Sequence, residues 1–318
     1  MSRLRPYLQL VRLPAVFTAL ADIFLGALAL EARGSQWLTV GLLAMTSACL
    51  YLSGMVWNDF FDLEQDKRER PTRPIPSGRV TREAAGRLGA GLMGAGLAFA
   101  MAAGWSIPHL NPDDVVRFSW TPADLAGYLV CAILLYDGVL KQTWAGPIAM
   151  GACRFLNVLL GLSALGPALP AWSFRMDLPP WSFHLAGVVG LYIVGVTWFA
   201  RREAAESKKA GLLGASLFML ASLLLALTLP ARLPPGTSSL LFPYLLVVLL
   251  FLVGFPAGRA IANPSPSLVQ AAVKRSLQGL VVLDAVLATI WAGWLGLFIL
   301  LLLLPIHFLN RWRWLYMT

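Results

Sequence analysis

The chain has few of the residues that do most chemistry in water. It holds three cysteines and three histidines in 318 residues. Cys49, Cys131 and Cys153 all fall within apolar stretches and show no Cys-x-x-Cys spacing, which argues against a disulfide framework and a zinc site; they read as small buried residues. His109, His184 and His307 are too scattered to form a ligand set. Acids are scarce as well, 16 against 25 basic residues, and all charged types together reach only 13%. No polar stretch is long enough for a soluble domain. The Pro-rich connections 106–121 and 166–182, with Pro108, Pro112, Pro167, Pro170, Pro179 and Pro180, suit turns. A cleavable leader is not expected either, because the first apolar span lacks a small-residue cleavage site and many others follow it.

What the chain has in abundance is apolar length. Hydrophobic residues make up 58%, and runs of roughly 18 or more recur, each able to cross about 30 Å of hydrocarbon as a helix. Spans are expected near 13–30, 37–58, 86–105, 122–140, 144–165, 183–200, 211–229, 238–256, 275–291 and 294–310. The fold class is therefore an all-α integral membrane protein with nine to ten transmembrane helices. Ten return Arg311 and Arg313 to the side that holds most basic residues, and Trp291, Trp294, Trp312, Trp314 and Tyr316 suit interfacial anchors.

A net charge of +9 and a pI near 9.9 raise the question of nucleic acid, which the placement of the charges answers. Arg33, Arg117, Arg175 and Arg232 fall on one side, Arg154 lies inside a span, and the other basic residues fall opposite. This is the positive-inside asymmetry, so the N-terminus is read as cytoplasmic and no nucleic-acid partner is expected. A short chain without a transit segment suits a prokaryotic plasma (inner) membrane.

The longest basic connections, 59–85 and 201–210, each follow the second helix of a four-helix set. Spans 1–4 and 5–8 thus read as a pseudo-repeat, within a single domain 1–318 capped on its cytoplasmic side by those two loops. Repeats of this kind often place a site at their interface.

Residues 57–79 concentrate charge beside lipid. Asn58, Asp59, Asp62 and Asp66 project within about a 100° arc of a helix. Oxygen donors on one face suit Mg²⁺, which takes one or two carboxylates while phosphates complete its shell; the Gly-containing loop of an EF-hand is missing. Lys67, Arg68, Arg70 and Arg73 add cations suited to phosphate. The plainer reading is a helix end whose charges neutralise one another in water. Pro71, Pro74 and Pro76 stop the helix and make a stiff loop expected to fold over the carboxylates.

Asn-Asp-x-x-Asp-x-x-x-Asp followed by Arg-x-x-Arg-Pro-Ile-Pro-Ser-Gly resembles the first signature of the UbiA superfamily of intramembrane prenyltransferases, and Tyr136 with Lys141 resembles that family's Tyr and Lys pair. The resemblance implies helices ringing a central cavity open to lipid on one side, with an isoprenoid tail buried and a diphosphate under the cytoplasmic cap. It assigns Asn58, Asp59, Asp62 and Asp66 to Mg²⁺ and diphosphate, the three aspartates as catalytic groups, and adds Arg68, Arg73 and Lys141 on the diphosphate. The activity implied is Mg²⁺-dependent transfer of a prenyl group from a polyprenyl diphosphate to an unidentified acceptor among membrane lipid. Trp57, Phe60, Phe61 and Trp198 are rings available to an allylic cation, or else interfacial packing.

One family feature is missing. The second Asp-x-x-x-Asp motif is replaced by Arg201, Arg202, Glu203 and Glu206, with Lys208 and Lys209 read as a solvated positive-inside face. Glu203 and Glu206, three apart, can still take a metal, or an arginine such as Arg201 replaces the second ion as counter-charge. The chain is in this respect similar to a divergent, EboC-like branch, and two alternatives stand beside transfer: a terpene cyclase, and a lipid-diphosphate binding or translocating protein without turnover. Within the spans, Asp22, Arg154, Asn157 and Asp284 are polar residues that call for a role. Arg154 either meets the diphosphate or pairs with an acid; Asp22, Tyr136, Asn157, Glu203 and Glu206 are candidates for the acceptor or a second site; Asp284 reads as structural. Gly89-Ala-Gly-Leu-Met-Gly94 matches a dinucleotide pattern, but no strand precedes it, so close helix packing is the better reading.

Overall fold

The computed structural model describes residues 4–107, 118–165, 178–201, 208–234, 236–237 and 239–311. Every regular element among them is helical. A short α1 (Arg5–Leu10) precedes α2 (Val16–Ala29) and α3 (Gln36–Phe61), and a one-residue break at Asp62 separates α3 from α4 (Leu63–Glu69). There follow α5 (Arg82–Ser106), α6 (Thr121–Leu135), α7 (Gly146–Leu162), α8 (Pro180–Ala200), α9 (Lys209–Leu227), α10 (Leu241–Ala262), α11 (Pro266–Ala292) and α12 (Leu303–Asn310).

The starts and stops follow local chemistry. The Thr81 hydroxyl accepts the Ala84 N–H at 3.2 Å and caps α5, while Pro122, Pro147, Pro180 and Pro266 occupy first-turn positions where no N–H is needed. At Gly293, φ is +54°, a conformation that ends α11 and turns the chain back on itself. The 3₁₀ stretch Gly293–Leu302 then packs along α11, and α12 returns beside α2 and the turn that precedes it.

Among the described residues, seven helices are long and apolar enough to cross a membrane, the last being the compound segment Pro266–Asn310. Leu13–Ala29 and Gly146–Leu162 are shorter apolar helices. All ten expected spans therefore coincide with helical segments, although the tenth begins as a 3₁₀ stretch and the fifth, 17 residues long, covers only about 25 Å.

Packing order repeats along the chain. The run α2 on α3, α3 on α5, α5 on α6 has its counterpart in α7 on α8, α8 on α9, α9 on α10. The two sets meet where α2 crosses α7. There a Cβ on Gly26 would come 2.4 Å from the Gly161 carbonyl carbon, so only glycine permits the contact. The stripe Gly89–Gly94 lies inside α5: Gly89 seats Trp57, while Gly91 and Gly94 face open space.

Candidate functional site

The basic loop after α4 folds inward. Ile75 and Val80 are buried with Leu10 and Val56, Arg79 Nη1 donates to Gln9 Oε1 at 2.7 Å, and Arg73 is 8% exposed. Arg73 Nη1 donates to Asp66 Oδ2 at 2.7 Å and to Asp59 Oδ1 at 3.2 Å. Arg12 approaches Asp59 Oδ1 from the other side, at 2.7 Å, with its backbone held at φ +47°. A left-handed arginine costs of order 1 kcal/mol.

The four expected ligands thus diverge. The helix break at Asp62 turns Asp66 back over Asp59, so these two share Arg73, while Asp62 pairs with Lys141 and Asn58 Nδ2 donates to Asp137 Oδ1 at 3.2 Å. Among the described residues, no three Asp, Glu, His or Cys side chains converge as a ready-made ion cage. Burial raises the Asp66 carboxyl above its ordinary 3.8, the bond from Arg73 opposing that rise.

Two adjoining chambers, which share part of their lining, lie beside this cluster. The upper one, about 780 Å³, is lined by Arg12, Asp62, Arg70, Arg73, Lys141 and Arg201, among others. The lower is narrow and mainly apolar, walled by Leu50, Gly54, Leu129 and Ile133, with Ser47, Arg154 and Asn157 also facing it. Tyr51, Met55, Asn58, Tyr136 and Met150 line both chambers and form the neck between them. A π turn over Tyr136–Leu140 follows α6 and ends the fourth span, closed by Lys141 N–H donating to the Tyr136 carbonyl at 2.8 Å. It brings Asp137 to the lower chamber and Lys141 to the upper. Arg201, at the end of α8, lines the upper chamber and donates to the Thr143 carbonyl.

Several expected site residues stand elsewhere. Arg68 is exposed on α4 and lines neither chamber, because the break at Asp62 rotates that face outward; Arg12 and Arg70 take up cationic positions instead. Arg154 lines the lower chamber, but its guanidinium is engaged by α2: Nη1 donates to Asp22 Oδ2 at 3.1 Å and to the Thr18 carbonyl at 3.0 Å, and Nη2 to Thr18 Oγ1 at 2.7 Å. Asn157 donates to the same Asp22 oxygen at 2.7 Å, so Asp22 and Asn157 belong to an internal polar network; Asp284, fully buried on α11, has no hydrogen-bond donor among the described residues. Trp57, Phe60 and Phe61 pack on one another at 5.1–5.7 Å, Trp57 and Phe60 against α5 and Phe61 beside Gly138. Trp198 packs on Phe218 at 5.4 Å. The rings at the neck are Tyr51 and Tyr136. Glu203 and Glu206, with Arg202, lie outside the described residues.

Sequence reasoning missed Arg12 as an Asp59 partner and Asp137 as an Asn58 partner. A signal was present for the neck: Tyr51, Met55, Asn58 and Asp62 fall at i, i+4, i+7 and i+11, one helical row.

The donor set suits a hard cation. Asn58 and Asp62 face the upper chamber, and with Asn58 Nδ2 bonded to Asp137 it is the amide oxygen that would be offered to a cation. One or two such oxygens with phosphate oxygens match the habit of Mg²⁺.

Comparison with known proteins agrees with this architecture. Residues 19–276 match the UbiA prenyltransferase family. Digeranylgeranylglyceryl phosphate synthase of Ignicoccus hospitalis is 31% identical over 158 residues, covering 46% of this chain and 51% of that protein. The chain thus spans about half the length of that relative. Among solved structures, one concerned with digeranylgeranylglyceryl phosphate synthase in membranes superposes with a TM-score of 0.61 at 18% identity, covering 91% of this chain and 98% of the other. A UbiA homologue from Archaeoglobus fulgidus bound to GPP and Mg²⁺ gives 0.56 at 14%, covering 89% and 99%. By the extent of the family match and by its fold, the chain belongs to the UbiA prenyltransferase family.

Proposed function

We propose that this protein catalyses Mg²⁺-dependent transfer of a prenyl group from a polyprenyl diphosphate to an acceptor nucleophile within the membrane. The observation that carries the reading is a cationic chamber, edged by Asn58 and Asp62, that shares a wall with a narrow apolar one below it. An amphiphile with an anionic head and an isoprenoid tail has this division of character. The Archaeoglobus fulgidus homologue, bound to GPP and Mg²⁺, supports the same choice of ligand.

In this reading Asn58 and Asp62 hold the ion, with Asp59 and Asp66 behind them. When bound, Mg²⁺ neutralises charge developing on the departing diphosphate. Lys141, which pairs with Asp62 in this structure, and Arg201 would take the diphosphate oxygens from the other walls, and Arg73 would steady the carboxylates. Arg201 supplies, as a fixed cation, counter-charge that a second acidic motif would recruit as metal.

The allylic carbon–oxygen bond breaks with its electron pair leaving on the diphosphate. The cation then lies at the neck, near Tyr51 and Tyr136, where an acceptor lone pair forms the new bond and the acceptor loses its proton. The related synthases named for a glyceryl phosphate product make a phosphate-bearing lipid alcohol the first acceptor to try. In this reading the chamber and the N-terminus lie on the cytoplasmic side of a prokaryotic plasma membrane, an orientation that the basic loops support through the positive-inside rule.

A second reading, diphosphate binding without turnover, draws on the closure of Asp59 and Asp66 around Arg73. Purified protein with labelled geranylgeranyl diphosphate, with and without Mg²⁺ and lipid-alcohol acceptors, separates the cases. Prenylated acceptor supports transfer; a cyclic hydrocarbon without acceptor marks a cyclase; tight binding with no pyrophosphate release marks the non-catalytic protein.

A further inference from the structure

A further cavity, about 530 Å³, opens between α10, α11 and α12 and is lined by Arg259, Lys274, Arg275, Gln278 and His307 above Phe255. Among the described residues, no carboxylate lines it. Among the described residues none of the three cations has an ion-pair partner, and from residue 208 to 311 the only acid is Asp284, which is fully buried. We infer that this cavity binds the anionic headgroup of a membrane phospholipid.

Three cations held together without an acid repel one another, and an anion placed among them relieves that repulsion. The cavity is built as a recess: Pro256, inside α10, lacks an N–H and breaks the helix ladder beside Arg259. Its surroundings select a lipid over a soluble phosphate. Phe251, Phe255, Leu304 and Phe308 are 58–70% exposed next to it and offer an apolar surface for acyl chains, and Arg259 stands 5.9 Å above the Phe255 ring. The cavity is separate from the chambers described above but shares a wall with them: on α11, Lys274, Arg275 and Gln278 face the headgroup cavity, whereas Val273 and Leu277 face the upper chamber. A bound headgroup therefore braces that wall.

The test needs no knowledge of the reaction. Thermal unfolding of detergent-purified protein is followed against added phosphatidylglycerol, phosphatidylcholine and glycerol phosphate, with native mass spectrometry counting retained lipid. Wild type is compared with Lys274→Gln/Arg275→Gln and with a matched pair at the start of α9, Lys208→Gln/Lys209→Gln. Phosphatidylglycerol is expected to raise the Tm by several degrees where phosphatidylcholine does not. The cavity pair should need at least tenfold more lipid for the same shift, and the α9 pair should behave as wild type. Equal loss in both pairs would reduce the effect to diffuse surface charge and overturn the inference. So would full stabilisation by glycerol phosphate, or no effect of phosphatidylglycerol on wild type. Should the cavity pair not fold, Arg259→Gln carries the same comparison.

Discussion

Arg73 Nη1 lies 2.7 Å from Asp66 Oδ2, the two side chains being 9% and 2% exposed, seven residues apart across the end of α4. The same nitrogen reaches Asp59 at 3.2 Å. One arginine on a Pro-stiffened loop thereby gathers two carboxylates that an uninterrupted helix would have spread along one face. Removing it leaves buried acids with less counter-charge. Arg73→Met should cost about 3–5 kcal/mol, read as a fall in Tm, and Asp66→Asn added to Arg73→Met should restore part of it. No loss on Arg73→Met would mean the loop is held by its apolar contacts alone.

The protonation of Asp66 carries a signed pH dependence. Its carboxyl is raised above 3.8 by burial, so the folded protein takes up this proton before the unfolded chain does. The contribution is fully present below 3.8 and is lost as pH rises through the higher folded value. Relative to Asp66→Asn, wild type should therefore gain stability as pH falls from neutral toward 4. Paired thermal melts across that interval check the sign; a relative loss would show that the Arg73 ion pair outweighs burial.

The sequence carried the helices and the motif more clearly than the partners. Apolar runs located the seven long apolar helices and the two shorter ones among the described residues, since each is a continuous stretch of low polarity. Residues 57–79 announced a charged site. What the spacing hid was a single-residue break at Asp62, which depends on loop packing around Ile75 and Val80 and sends Asp66 inward and Arg68 outward. Arg12 was read only as a topology charge, because its partner Asp59 is 47 residues away. Asp137 was passed over because its contact with Asn58 spans 79 residues.

The Arg154 network should behave as structure. Arg154→Met leaves Asp22 buried without its cation and should cost about 3–5 kcal/mol. Asp284→Asn should be neutral or stabilising, because Asp22 Oδ1 and both Asp284 oxygens have no donor among the described residues and an amide supplies one. Chemical or thermal unfolding of both variants decides. A severe loss for Asp284→Asn would assign that acid a role the packing does not reveal.

Charge around the upper chamber should sort by position. Lys141→Gln and Arg201→Gln each remove a cation that lines it, and each should weaken diphosphate binding roughly tenfold or more, about 1.4–3 kcal/mol. Arg68→Gln, exposed on α4, should change affinity little. Titration with geranylgeranyl thiodiphosphate measures all three, and equal effects would point to long-range attraction.

The most direct measurement is Mg²⁺-dependent binding of geranylgeranyl diphosphate to wild type and Asp62→Asn, with pyrophosphate release followed in the same samples. The expected result is binding that requires Mg²⁺ in wild type, release of pyrophosphate when an acceptor is supplied, and loss of both in Asp62→Asn while its fold is retained. Binding indifferent to Mg²⁺ and to Asp62 would contradict the assignment of the chamber.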